Sequence, residues 1–148
     1  MRNKSKAKIY LGRIAKLNFE IENKMAEKTQ YRDMALGITS HIGDERVQSS
    51  GSKQAMSNAL DKVVDLEKEI DRKIDELIDV KREIIGTIEK LNAMEYDVLH
   101  KRYIQSMEFK EIGAIRRKSK SWATSTHGRA LQSLNKILDE MGWDYTDL

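Results

Sequence analysis

Six cations, Lys110, Arg116, Arg117, Lys118, Lys120 and Arg129, fall in the stretch 110–129, with Ser121, Trp122, Thr124 and Ser125 set among the last of them. Guanidinium and ammonium groups neutralise phosphates, and short hydroxyl side chains reach base edges. The chemistry on offer is recognition of a polyanion. Bond-making chemistry finds little support. His41, His100 and His127 are scattered, and none has a second histidine or a carboxylate at a metal-binding spacing such as HExxH. His127 is expected to pack or to touch a phosphate. No GxGxxG, P-loop or GxSxG string occurs. There is no cysteine, which excludes disulfides, zinc knuckles and thiol catalysis. The reading is therefore a non-enzyme with no metal and no cofactor.

Charge is segregated along the chain. The net value of +3 resolves into +5 for residues 1–57, −3 for 58–91 and +1 for 92–148. Inside the last segment, Val98–Leu138 holds nine basic residues against Glu108 and Glu111 alone. A concentrated basic window beside an acidic stretch points to a polyanionic partner for one part of the chain only.

The elements that must position these residues follow from periodicity. The spacing predicts a helix near Ala93–Ser106, a second at Phe109–Arg117, a tight turn at Lys118–Lys120 and a third at Ser121–Glu140. Ile112 and Ile115 are expected to point inward, with Gly113 small where the next helix crosses closely. Ser119 is a natural N-cap for the third helix. Ala123, Thr126, Ala130, Leu131 and Leu134 share one side of it, leaving Lys120, Ser121, Trp122, Thr124, Ser125 and Arg129 to face outward. Two helices, a short turn and such an outer face suit a major groove. The plainer alternative is a small three-helix bundle with a solvated basic face. Gly142 is a plausible helix stop, after which Trp143 and Tyr145 are expected to fold back onto the core.

Two longer blocks precede this segment. In the first, about Lys8–Leu36, Ile14, Leu17, Ile21, Met25 and Tyr31 recur on one helical face. A glycine- and serine-rich break from Gly37 to about Lys53 reads as a loop. In the second, about Gln54–Lys90, Leu60, Val63, Glu67, Ile70, Ile74, Leu77, Lys81, Ile84, Ile88 and Leu91 form a heptad seam that Val64, Ile78 and Ile85 widen. Opposite it lie Asp61, Asp65, Lys68, Asp71, Arg72, Asp75 and Arg82. Their carboxylates follow the outside of a helix, so paired-carboxylate catalysis gains no ground. The stripe must be buried against the first block, against a second copy, or both. The expected fold is all-α, with a coiled-coil-like helical hairpin over residues 1–90 and a helix-turn-helix domain over 91–148.

Residues 92–138 resemble region 4 of bacterial sigma-70-type factors. The likeness is carried by Tyr96-Asp97-Val98-Leu99-His100-Lys101-Arg102-Tyr103, Phe109-Lys110-Glu111-Ile112-Gly113, Ser119 and Arg129-Ala130-Leu131-Gln132-Ser133-Leu134. Over its full length the chain resembles a family of small proteins from phages and prophages of low-GC Gram-positive bacteria. Tyr10-Leu11 with Ile14, Gln48-Ser49-Ser50-Gly51, Arg102-Tyr103-Ile104 and His127-Gly128-Arg129-Ala130-Leu131 carry that likeness. The family is similar to the ArpU and RinA groups of phage late-gene transcription regulators, which implies control of phage genes. By position, Lys120, Ser121, Trp122, Thr124 and Ser125 match base-facing slots of the sigma recognition helix, and Arg129 matches a backbone-contacting slot. The chain departs from sigma factors in carrying Ser, Trp and Thr where Arg, Glu and Gln are usual, and in lacking a region 2-like segment.

The partners implied are double-stranded DNA and a second copy through the long helices, with the hairpin expected to set spacing or to engage host RNA polymerase. No apolar run approaches the roughly 20 residues that cross a bilayer, and the basic start lacks a signal-peptide core, so the bacterial host cytoplasm is the expected location. Two other functions fit the same pattern: a DNA-packaging subunit similar in outline to a small terminase, and a coiled-coil adaptor that binds protein instead of DNA.

Overall fold

The computed structural model describes the backbone of residues 5–43 and 50–145 and the side chains of all of these but 38–43, 50 and 52. The regular structure among them is helical throughout: α1 Lys6–Gly43, α2 Ser50–Ile88, α3 Ala93–Leu99 continued by a π-helical turn His100–Ile104, α4 Phe109–Ile115 and α5 Lys120–Met141. No proline interrupts the ladders of α1 and α2, which reach 38 and 39 residues. None of the helices is long and apolar enough to cross a membrane.

The break expected over Gly37–Lys53 is narrower than its composition suggests. Residues 37–43 belong to α1 and 50–53 to α2. A glycine inside a helix costs only about 1 kcal/mol, so isolated glycines do not end a long ladder. Gln48 and Ser49 of the polar run lie outside the described residues.

Contacts divide the chain into two compact units, Leu17–Leu77 and a second made of Met1–Lys16 with Ile78–Leu148. They do not follow the boundary expected after residue 90, because the start of α1 and the end of α2 share a core with α3 and α5. Tyr10, Leu11, Ile84, Ile88, Leu99, Leu134 and Leu138 are fully buried in that unit. Burying each such side chain stabilises by about 1.5–3 kcal/mol. Polar contacts fix the register: Tyr10 Oη and Thr87 Oγ1 lie 2.8 Å apart, and Asn135 Oδ1 accepts from Ala7 N at 2.7 Å and Ser5 Oγ at 3.1 Å. α5 ends at Gly142, whose φ of 72° is a left-handed cap. Trp143 then packs edge-on against Tyr10 at 5.1 Å between centroids, as expected, whereas Tyr145 stays exposed.

In the unit Leu17–Leu77 the long helices pair antiparallel within one chain. Lys73 meets Glu20 at 2.8 Å, Lys24 meets Glu69 at 2.7 Å and Lys28 meets Glu67 at 3.2 Å. The buried line on α2 is Ala59, Val63, Leu66 and Ile70, with Leu17 and Ala35 on α1. Val63 and Ile70 of the expected seam are thus buried, whereas Leu60 and Ile74 of that seam, and Val64 beside it, are exposed. Two adjacent lines on α2 both advance by threes and fours, and the partner helix decides which one is covered. On α1, Lys24 and Lys28 flank the interface and Met25 is exposed. Lysine stems cover apolar surface while their ammonium groups reach the carboxylates. The face Asp61–Arg82 is exposed as expected.

Candidate nucleic-acid interface

The cationic set is arranged by α4, the turn after it and the start of α5. Glu108 occupies the N-cap of α4 without a side-chain hydrogen bond. Phe109, Ile112 and Gly113 share the face of α4 that turns inward, and Ile112 is fully buried. Ile115 is exposed, against expectation. At 100° per residue it falls well outside the arc that those three define.

The turn is built by backbone geometry. Arg117 N donates to Ala114 O at 3.1 Å and Lys118 N to Gly113 O at 2.7 Å, with Arg117 at φ 58°. This is a Schellman ending in which arginine stands where glycine is usual, at a cost of roughly 1 kcal/mol. A Cβ on Gly113 would lie 2.5 Å from Ser119 O and 2.8 Å from Ser119 C. The glycine is therefore required by the turn's backbone more directly than by the crossing of α5. Ser119 caps α5 as expected, its Oγ accepting from Trp122 N at 3.0 Å.

Ala123, Thr126, Ala130, Leu131 and Leu134 line the buried side of α5, as read from the sequence, and Leu138 joins them. Lys110, Arg116, Arg117, Lys118, Lys120, Ser121, Thr124, Ser125 and Arg129 are exposed. Trp122 departs from the expected outward face: it is half-buried and packs on the Val98–Ile112–Ala123 cluster with Met107 and Phe109. Its indole sits on the flank of the buried arc, where a large ring gains more by burial than by solvation. Among the described residues, no carboxylate pairs with Lys110, Arg117, Lys118 or Lys120. Arg116 is held by Asp97. Arg129 donates to Thr126 Oγ1 at 3.2 Å, and Thr124 Oγ1 to Ser121 O at 3.0 Å.

Beneath this surface His127 joins α5 to the segment after α3. Its Nε2 lies 2.8 Å from Tyr103 Oη, its ring stacks on Tyr103 and it meets Phe109 edge-on at 4.9 Å. Arg102 lies over the other partner, 4.4 Å from the Phe109 centroid. Burial, aided by the Arg102 and Lys8 charges, pushes the imidazole down to about 4. His127 is thus a neutral packing residue.

Sequence reading missed two outward positions on the line of α5 that Ser121 and Ser125 begin. Ser121, Ser125, Gly128 and Gln132 step by four, three and four, and all four are exposed, so the same periodicity that found the first two would have found the others. A Cβ on Gly128 would meet nothing within 4 Å, so packing does not explain that glycine. Among the described residues no group of three or more His, Asp or Glu could hold a metal ion. Comparison with protein-family models, curated proteins and solved structures yields no match.

Proposed function

We propose that this chain is a non-enzymatic, sequence-specific double-stranded DNA-binding protein that regulates phage or prophage genes, with α4 and α5 acting as a helix-turn-helix of the sigma-70 region 4 type. The observation that carries the reading is the turn Arg116–Ser119. A strained arginine and a glycine that admits no side chain hold Arg117, Lys118 and Lys120 beside the hydroxyl face of α5, without carboxylate partners of their own. Backbone strain of this kind concentrates at functional sites. In this reading Lys110, Arg116, Arg117, Lys118, Lys120 and Arg129 contact phosphates, while Ser121, Thr124, Ser125 and the exposed edge of Trp122 face bases. A homodimer through the long helices accounts for Leu60, Val64 and Ile74, which pairing with α1 leaves exposed. In this reading the hairpin sets spacing or engages host RNA polymerase.

A mobility-shift titration against fragments of phage DNA tests the proposal. Affinity should fall with salt at a log–log slope of about −0.9 per phosphate neutralised. Arg117→Ala should weaken all fragments alike, and Ser125→Ala should change their ranking. Equal retention of every fragment at moderate salt would remove sequence specificity from the proposal.

A further inference from the structure

Asp97 is an acid set against a cationic surface, and it grips one of that surface's members. Arg116 follows directly on α4, immediately before the left-handed Arg117. Its Nε donates to Asp97 Oδ2 at 2.7 Å and its Nη2 to Oδ1 at 2.5 Å. Lys101 Nζ donates to the same Oδ1 at 2.6 Å. The carboxylate is screened, at 15% side-chain exposure, whereas the Arg116 side chain is 40% exposed. The guanidinium is therefore clamped along one edge by a planar fork, a geometry that fixes orientation as well as position. Its Nη1 points away from the clamp with two donors left over. Two cations on one carboxylate keep the triad at net +1, so it still attracts an anion.

We propose that Asp97 is a positioning residue of the DNA-contacting surface, holding Arg116 so that Nη1 meets a backbone phosphate of duplex DNA. The inference rests on the DNA-binding reading above. It opposes simple electrostatics: deleting an acid from a cationic surface should tighten DNA binding, whereas deleting the residue that aims an arginine should weaken it. A carboxylate serving only to stabilise the fold would act independently of Arg116.

The test is a fluorescence-anisotropy titration of the full chain on a labelled duplex of mixed sequence, between about 0.05 and 0.3 M salt. Asp97→Asn should weaken binding roughly three- to tenfold and reduce the log–log salt slope by about 0.9, the contribution of one phosphate. Asp97→Glu should recover most of the loss. In a chain already carrying Arg116→Ala, Asp97→Asn should cause no further weakening. Arg116→Lys, which keeps the charge and loses the fork, should also weaken binding; it decides the matter if Asp97→Asn fails to fold by circular dichroism. Binding of Asp97→Asn as tight as the unaltered chain or tighter, an undiminished effect in the Arg116→Ala background, or unchanged affinity in Arg116→Lys would overturn the proposal. An unaltered chain that binds no duplex at the lowest salt would instead defeat the DNA-binding reading beneath it.

Discussion

In the proposed DNA-binding reading, Arg117 sets stability against recognition within a single residue. Its φ of 58° is a conformation that glycine adopts at no steric cost. Arg117→Gly should stabilise the chain by up to about 1 kcal/mol in a urea melt while weakening duplex binding and flattening its salt dependence by about 0.9. A variant that lost stability would show that the arginine side chain holds the turn by contacts that outweigh its strain. His127 makes a second residue-scale prediction. Its folded pKa, near 4 through burial, lies below its ordinary value of 6.5, so the unfolded chain binds more protons between the two. The stability it contributes is fully present above pH 6.5 and is lost as pH falls from there toward 4. The partly solvated ring makes this worth about 1–2 kcal/mol. Urea melts across that range should show the decline, and His127→Phe should flatten it; an equal slope in both proteins would place the titration elsewhere.

The helices themselves were legible in the sequence wherever a local signal fixes them. Ser119 and Gly142 bracket α5 as a hydroxyl cap and a left-handed glycine, and both act as their residue types suggest. Ile112 and the buried side of α5 were found by period alone. What stayed hidden depends on partners distant in sequence. On α2 the sequence places Val63 and Ile70 on the seam, where they are buried, but only the packing of α1 shows that Ala59 and Leu66 are covered in place of Leu60 and Ile74. The grip of Asp97 on Arg116 spans 19 positions and has no local signature. The same distinction yields a test of the hairpin. Ile70→Ala should cost about 2–4 kcal/mol, since Ile70 is buried, whereas Met25→Ala, on the exposed side of α1, should cost less than about 0.5 kcal/mol. Denaturation followed by circular dichroism checks both, and equal costs would reassign the seam.

At the scale of the whole molecule, the start of α1 and the end of α2 belong to the same compact unit as the cationic turn. Tyr10 with Thr87, Asn135 with Ala7, and Trp143 on Tyr10 join the segments of that unit. In the proposed reading, the cationic edge of this unit meets phosphates and the hydroxyls beside it face bases. Selection of bound fragments from a random duplex pool by the full-length chain, at about 0.15 M salt, tests this division of labour most directly. The account predicts a shared sequence motif among the retained fragments, with retention lost when Arg117, Lys118 and Lys120 are all changed to Ala. Retention of no duplex, or of an unselected pool that the triple variant holds equally well, would contradict it.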